Sequence, residues 1–230
     1  MPEETFTETT GVEAALLYKI DGVDFLHYGV YVSASKGIVD MPSLKEPQTV
    51  DWPGSHGTVV DLSAPRYNAR EIELECFMRA SGKLDFFQKA RAFIEVFQKP
   101  RLRKLELVIA NKPLIYMVYL PEGIAFEKQW HTQEMFGTFT LKLVEPSPVK
   151  MLLKTTTTEP EQEIELEFHT QNPIDIYWGD GSSTLNALGL NLTKSHTYAV
   201  AGTYYVLFCG VIENITGFSG PNTEIVWSKY

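Results

Sequence analysis

The sequence predicts a mainly β protein of two domains, and three observations support this prediction. One long helical pattern lies in residues 81–100, strand-like alternation of apolar and polar residues recurs on both sides of it, and a Pro- and Thr-rich stretch interrupts the alternation at 146–160. We therefore expect an α+β first domain in 1–148, in which an antiparallel sheet or sandwich packs against one helix. An extended linker should follow in 149–160, and a small β-sandwich in 161–230.

Composition limits the possible functions. Hydrophobic residues make up 44% of the 230 residues, which is enough for real cores, and the formal net charge is −9. The negative charge argues against broad nucleic-acid binding and against docking on an anionic membrane, and no apolar run is long enough to span a bilayer. The N-terminus lacks a secretory pattern, so we expect synthesis in the cytosol. Cys76 and Cys209 fall in different predicted domains, which argues against a disulfide framework.

The first domain is expected to begin with strands. Apolar runs predict a strand at 16–20, a partner at 23–26 after a tight Asp-Gly turn, and a third strand at 29–32. Residues 37–65 are rich in Gly and Pro, so they form either a functional loop or a projecting hairpin, with strand character near the end. Strict alternation then predicts a strand at 70–78, with its glutamates on the solvent side.

The helix that follows is the element around which the first domain is organised. Ser81 is the predicted N-cap, Asp85 suits the first turn, and Pro100 marks the end. Large apolar side chains recur at steps of three and four residues, so we expect them to face a sheet. The side chains predicted to form or flank this face are Phe86, Phe87, Ala90, Phe93, Ile94 and Phe97.

Further strands are predicted after the helix. In the first domain they lie at 104–110, 114–120, 124–130 and 138–144.

In the second domain, alternation predicts strands at 163–168, 174–178 and 203–209, with a turn at Gly179-Asp180-Gly181. Asp180 is expected to form an Asx-type turn. The alternative is a calcium contact that involves Asp175 or Asp180.

No motif in the sequence indicates catalysis. The five histidines are scattered without metal-ligand spacing, so we expect no metal and no cofactor. Asp51 and His56, with Asp61 close behind, could form an acid–base pair, but residues in a Gly- and Pro-rich loop more often shape turns. Trp52 in the same loop serves either as an anchor for a partner or in local packing. With His56 and Lys45 it forms the predicted interface.

A motif in the C-terminal half resembles a known domain. Trp178-Gly179-Asp180-Gly181, then His196-Thr197-Tyr198, then Gly202-Thr203-Tyr204 follow the order and spacing of PKD-type, immunoglobulin-like domains. The resemblance implies an immunoglobulin-like sandwich with Trp178 in its core and Tyr198 at a strand corner, tied back by its hydroxyl. Residues 211–218 depart from the usual ending of such domains.

Residues 12–148 resemble the N-terminal domain of the distal tail proteins of long-tailed phages. The resemblance lies in the order of elements: strands, a long loop with Pro-x-x-Lys and a Gly-rich end, the strand at 70–78, the Phe-rich helix and further strands. It implies a hexameric ring that joins the tail tube to the tip or baseplate of a virion assembled in the bacterial cytoplasm, without enzymatic activity. C-terminal domains in that family project outward, sometimes toward host-surface carbohydrate.

Three functions are compatible with these features of the sequence. The first is a ring-forming structural subunit of a phage or prophage tail, with copies of itself and other tail or baseplate proteins as partners. The second is a carbohydrate- or cell-surface-binding module presented by the PKD-like domain, with a host-surface glycan as partner. The third is a hydrolase to which the PKD-like half is accessory. The absence of any catalytic motif favours the first, a protein that is not an enzyme.

Overall fold

The structure is a computed structural model that describes residues 16–109, 112–130 and 134–229. Strands dominate these residues, and the prediction of a mainly β fold is confirmed. In chain order the elements are β1 (Tyr18–Ile20), β2 (Val23–Asp24), β3 (Val30–Lys36), β4 (Thr49–Asp51), β5 (Thr58–Val60), β6 (Arg70–Ala80), α1 (Lys83–Gln98), β7 (Arg103–Ile109), β8 (Lys112–Val118), β9 (Glu127–Trp130), β10 (Met135–Glu145), β11 (Lys150–Thr157), β12 (Gln162–Tyr177), β13 (Ser183–Tyr198), β14 (Gly202–Gly210), β15 (Thr216–Ser219) and β16 (Thr223–Lys229).

The first half consists of two antiparallel sheets and the helix. One sheet has the order β2-β1-β7-β8, and the other has the order β3-β6-β10-β9. Strand β6 alternates as predicted: Ile72, Leu74 and Met78 are buried, and Glu71 and Glu75 are exposed. Side chains from both sheets and from α1 form one buried cluster, so the helix and the two sheets share a core.

The predicted face of the helix is correct at its centre and wrong at its edge. Phe86 and Phe93 are buried, whereas Ile94 and Phe97 are half-buried. Phe87 is 68% exposed and does not contribute to the core. The buried neighbour on the other side of the stripe is Val96. The core-facing stripe is therefore rotated slightly from the one that the sequence predicted.

The start of the helix also differs from the prediction. The N-cap position is occupied by Gly82, and Ser81 lies one residue before it. The Ser81 backbone N–H and hydroxyl both donate to Asp85 Oδ2 at 2.9 Å, so the first turn is closed from the aspartate side. The helix ends at Gln98, just before the residue that precedes Pro100, as predicted.

The second half is built on a six-stranded sheet with the order β13-β12-β14-β11-β16 and with β15 beside β12. Strand β12 joins the two predicted strands at 163–168 and 174–178 into one. Its first part pairs with β15, and its last part, from Ile174 to Tyr177, pairs with β14. Strand β13 was not predicted. It pairs with β12 over its length, with shifts in register between Phe168 and Ile176.

The prediction of a linker at 149–160 is wrong. Residues 150–157 form β11, which lies inside the sheet between β14 and β16. Leu152, Leu153 and Thr155 are fully buried. An apolar run followed by β-branched threonines suits a pleated, buried strand as well as it suits an extended linker. The turn between the two halves therefore lies between Glu145 and Lys150.

The two halves meet in a small buried group that we call the junction cluster. It joins Ile115 and Met117 of β8 to Leu152, Leu207 and Cys209 of the second half. At its edge, the indole of Trp227 donates from Nε1 to the carbonyl of Pro113 at 2.9 Å. In the part of the chain that the structure describes, no helix is long and apolar enough to cross a membrane.

Candidate functional site

Residues 43–68 form a two-stranded projection, which we call the arm. Its base is closed by the bridge between Leu44 and Tyr67. Its outer part is β4 paired with β5, with Val50 opposite Val59. Strands β4 and β5 form a sheet of their own, which pairs with no other strand of the described chain. The predicted alternative of a projecting hairpin in 37–65 is the one that the structure contains.

The arm exposes an unusual amount of apolar surface. The exposed fractions are 46% for Val50, 59% for Trp52, 59% for Val59, 44% for Val60 and 55% for Leu62. An isolated two-stranded hairpin is marginally stable in water, and contiguous apolar surface marks interaction sites. The arm therefore has the composition and the exposure of a segment that a partner covers.

The three residues of the predicted interface all lie on the arm and are exposed. Trp52 opens the tight turn at the tip, where its carbonyl accepts from the Ser55 N–H at 3.0 Å. His56 lies in the same turn region, and Lys45 lies near the base, where its N–H donates to the Arg66 carbonyl. The exposure of Trp52 does not fit local packing within the subunit. The interface role stays a prediction.

The acid–base pair considered for this loop is not assembled. The Asp61 carboxylate accepts from the Ser63 N–H at 2.9 Å, as a turn-forming aspartate does. Within the described residues, no hydrogen bond or ion pair joins Asp51 to His56.

A second candidate site is the turn that carries the PKD-like motif. The Trp178 side chain is 1% exposed, and its Nε1 donates to Thr184 Oγ1 at 3.0 Å. The Tyr198 hydroxyl donates to the Trp178 carbonyl at 2.8 Å, which is the tie expected of a corner tyrosine. Gly179 has φ 92°, and a Cβ there would lie 2.6 Å from the Tyr205 carbonyl oxygen, so the backbone passes too closely for any other residue.

The residues at the end of the motif, Gly202 and Tyr204, also contact the strand corner at Tyr198 or the strands beside it. The ring of Tyr204 stacks on that of Tyr198 at 3.9 Å, and its hydroxyl donates to the Val200 carbonyl. The Gly202 N–H donates to Thr157 Oγ1 at 3.0 Å, which ties the start of β14 to the end of β11. These residues hold the fold in place and present no free functional group.

Asp180 forms the predicted Asx-type turn. Its Oδ1 accepts from the Ser182 N–H at 2.9 Å and from the Ser182 hydroxyl, and its Oδ2 lies 2.7 Å from His196 Nε2. Partial burial alone would raise the pKa of the Asp180 carboxyl, but the hydrogen bonds from Ser182 and His196 hold it below its ordinary value. The sequence did not predict the role of His196, although its place in the motif signalled one.

The Ser182, His196 and Asp180 side chains do not form a catalytic triad. In a triad, one ring nitrogen of the histidine faces the serine and the other faces the aspartate. Here His196 Nε2 faces both, at 3.2 Å from Ser182 Oγ and 2.7 Å from Asp180 Oδ2. The histidine ring also stacks on that of Trp178 with centroids 5.0 Å apart, so it packs against the core of this half. No group of three or more metal-ligating side chains occurs in the described chain.

We expect Asp180→Asn to lower the free energy of unfolding by about 1 kcal/mol at neutral pH, because hydrogen bonds to a charged carboxylate are lost at a partly buried site. The folded-state pKa of Asp180 lies below its unfolded value. Its stabilisation is therefore complete above the unfolded pKa and is lost as the pH falls through the folded-state pKa. Urea unfolding between about pH 6 and about pH 2.5 tests this. The difference between the two proteins should shrink with acidification, and a constant difference would contradict the assignment.

A cleft of about 680 Å³ lies where the two halves meet, beside the Gly179–Gly181 turn. Its lining includes Tyr177 and Tyr205 from the second half and Arg103 and Lys104 from the first. Most polar groups in it are already engaged: Arg103 pairs with Asp21 at 2.9 Å, and Lys104 Nζ reaches the Gly179 carbonyl at 3.4 Å. The sequence could not predict this cleft, because its walls come from segments far apart in the chain.

Comparisons with solved structures show where this fold occurs. The phage P2 baseplate in its activated conformation with Ca is similar with a TM-score of 0.50 and 8% identity, over 94% of this chain and 96% of that chain. The Dit protein (gp 19.1) of phage SPP1, described as a paradigm of the hub adsorption apparatus in phages that infect Gram-positive bacteria, has a TM-score of 0.47 and 12% identity, over 85% and 98%. At 8% identity the likeness to the baseplate chain concerns the fold alone.

The family comparison goes further. No curated protein sequence matches this chain. The family model described as the phage tail protein RIFT-related domain matches residues 23–144, just over half of the chain. The match covers the helix, the arm and the strands of the first half apart from β1, and it gives no support to the alternative of a carbohydrate-binding module. It confirms the predicted structural role in a phage tail, and the chain belongs to the family of phage tail proteins with a RIFT-related domain.

Proposed function

We propose that this protein is the subunit of a ring at the tip or baseplate of a phage tail, where it joins the tail tube to the adsorption apparatus. The observation that carries the proposal is the arm, whose apolar side chains stand in solvent in the single subunit. The family match and the fold shared with a baseplate protein agree with this role. The resemblance of residues 12–148 to distal tail proteins indicates a hexameric ring.

A cyclic assembly requires two different, complementary patches on each subunit. The arm, with Trp52 at its tip, supplies one. We propose that the other is the outer face of β3 and β6, where the rings of Tyr31 and Phe77 stack with centroids 4.8 Å apart. These two side chains are 39% and 36% exposed. Stacked aromatic rings in solvent are typical anchors of an interface, because they bury large areas at low entropic cost.

We expect Trp52→Ala to leave the stability of the monomer unchanged and to weaken ring assembly by at least tenfold in concentration, which is the effect of losing about 1.4 kcal/mol per contact. Native mass spectrometry across a concentration series measures this. The matched control is Leu190→Ala, since Leu190 is 74% exposed but lies in the second half. A Trp52→Ala subunit that melts at lower temperature would show that Trp52 belongs to a core.

Mixing two variants tests the pairing of the patches. Trp52→Ala keeps an intact acceptor face, and Phe77→Ala keeps an intact arm. If the arm docks on that face, an equal mixture should form dimers that cannot extend, at a concentration at which each variant alone is monomeric. A mixture without dimers would overturn the choice of acceptor face and leave the role of the arm intact.

We infer that the second half is a PKD-like domain with an immunoglobulin-type fold, and that the first domain ends near residue 148. Support comes from the buried Trp178 and from the hydroxyl of Tyr198 on the Trp178 carbonyl, which is the arrangement that the motif implied. Strand β11 belongs to this half, so the domain begins at Lys150 and not at residue 161. In this proposal the protein works without catalysis, as a structural part of the virion.

A further inference from the structure

Three charged side chains are buried together at the turn between the two halves, and we call them the buried ion triad: Arg70, Glu145 and Lys150. Their side chains are 3%, 1% and 0% exposed. Lys150 Nζ donates directly to Glu145 Oε1. Arg70 Nε lies 3.1 Å from Glu145 Oε2, in an orientation that does not make a hydrogen bond. Charged groups are almost never buried this deeply unless they are paired.

The surroundings of the triad are aromatic and apolar. Lys150 Nζ lies 3.9 Å from the ring centroid of Tyr116 and 5.8 Å from that of Trp227. Lys150 is paired in the sheet with the buried Cys209. The guanidinium of Arg70 is fixed independently, because its Nη1 donates to two backbone carbonyls, of Gly37 and Ile38, at 3.1 Å each. The amine and the carboxyl are therefore held in contact in a dry site.

A dry site changes the chemical state of this pair. Burial raises the pKa of Glu145 and lowers that of Lys150, and the attraction between the two groups offsets these shifts only in part. Both shifts favour the neutral carboxylic acid and the neutral amine. A neutral amine is a nucleophile, and the carboxylic acid, unlike the carboxylate, is a form of the carboxyl group that can acylate an amine.

We propose that Lys150 and Glu145 condense to form an intramolecular isopeptide bond. A proton passes from the Lys150 ammonium to the Glu145 carboxylate, and the Nζ lone pair then attacks Glu145 Cδ, which makes the new C–N bond. Arg70 stabilises the negative charge that develops on Oε2. The bond from Cδ to Oε1 breaks, and this oxygen leaves as water with one proton from the initial transfer and one from the amine. The products are a secondary amide and one water molecule, and no oxidant or further reactant is needed.

The position of the bond gives it a mechanical consequence. Glu145 ends β10 and Lys150 begins β11, so the amide would close a covalent ring around the turn that joins the two halves. Fixed contact between amine and carboxyl supplies the proximity that amide formation otherwise lacks. The chemistry does not depend on ring formation, so its failure would leave the proposed function untouched.

The intact mass of the purified full chain tests the proposal. We expect it to be lower than the sequence mass by one water molecule. After denaturation and trypsin digestion, cleavage at Lys150 should be absent, and a peptide spanning residues 143–154 should carry the loss of water. Full sequence mass together with cleavage after Lys150 would overturn the proposal. Both readouts use the natural protein, so the folding of variants does not affect the decision.

Two controls locate the reaction. Lys150→Arg keeps the positive charge but has no primary amine, and we expect it to have full sequence mass and to be cleaved after Arg at that position. The pair Lys104–Glu106 serves as an internal control, because its side chains are 3.3 Å apart but 24% and 17% exposed. It should remain uncrosslinked in the same sample. A loss of water that maps outside residues 143–154 would also overturn the assignment.

Discussion

Phe93→Ala is expected to lower the free energy of unfolding by about 3–5 kcal/mol, because it opens a cavity between the helix, the sheet that contains β6 and β10, and the 3-10 turn at Phe25–Tyr28. Phe93 is 0% exposed. Its ring centroid lies 5.3 Å from that of Phe25, 5.4 Å from that of Phe97, 5.5 Å from that of Tyr28 and 5.8 Å from that of Phe139. The five rings come from a 3-10 turn, the helix and β10, so the surrounding structure cannot collapse onto the gap without moving several elements.

The matched control lies on the same helix. Phe87 is 68% exposed, so Phe87→Ala should change stability by no more than about 0.5 kcal/mol. Urea unfolding followed by far-ultraviolet circular dichroism measures both variants against the natural protein. Equal effects of the two substitutions would mean that the helix lies on the sheets with a different face from the one described.

The difference between Phe86 and Phe87 shows what periodicity can and cannot predict. Helical spacing identified α1 and its central residue Phe93, because both follow from local steps of three and four residues. Phe86 and Phe87 are adjacent, and consecutive residues point about 100° apart around the helix axis. The spacing of the apolar residues therefore does not decide which of the two phenylalanines is buried. The position of the sheets decides which of the two is buried, and that information lies outside the helix. Val96 was missed for the same reason.

Strands β11 and β13 were missed because their partners, not their own residues, decide their structure. The threonines of β11 have the composition of a linker, yet Thr155 is fully buried because β14 and β16 flank it. In β13, Asn186 and Asn191 have positive φ values of 54° and 52°, and residues with such values interrupt the alternation that predicts a strand. Pairing with β12 nevertheless extends across both positions.

The candidate sites also differ in how far they can be predicted from the sequence. The turn around Asp180 could be predicted, because all of its hydrogen bonds except that from His196 are made within a few residues. The Gly and Pro content of the arm predicts a projecting segment. The exposure of its apolar side chains is known only from the structure. The buried ion triad could not be predicted, because Arg70 is far in sequence from Glu145 and Lys150.

The other large loss of stability is expected for a substitution in the core of the second half. Trp178→Ala should lower the free energy of unfolding by about 3–5 kcal/mol, since the indole is 1% exposed and belongs to the buried cluster of that half. The substitution removes both the stacking on His196 and the hydrogen bond to Thr184 Oγ1. It does not remove the hydrogen bond from the Tyr198 hydroxyl, which ends on the Trp178 backbone carbonyl.

Tyr198→Phe isolates that hydrogen bond and should lower the free energy of unfolding by about 1–3 kcal/mol, because a buried carbonyl loses its partner.

Measured together, Phe93→Ala and Trp178→Ala also test how the two halves unfold. They lie in separate buried clusters, but the junction cluster places Ile115 of the first half against Leu152 and Leu207 of the second. Because shared buried contacts couple unfolding, we expect each substitution to shift a single cooperative transition. Differential scanning calorimetry with circular dichroism measures this. If Trp178→Ala instead separates a low-temperature transition from an unshifted one, the halves are independent domains, and the contacts at their junction contribute little to stability.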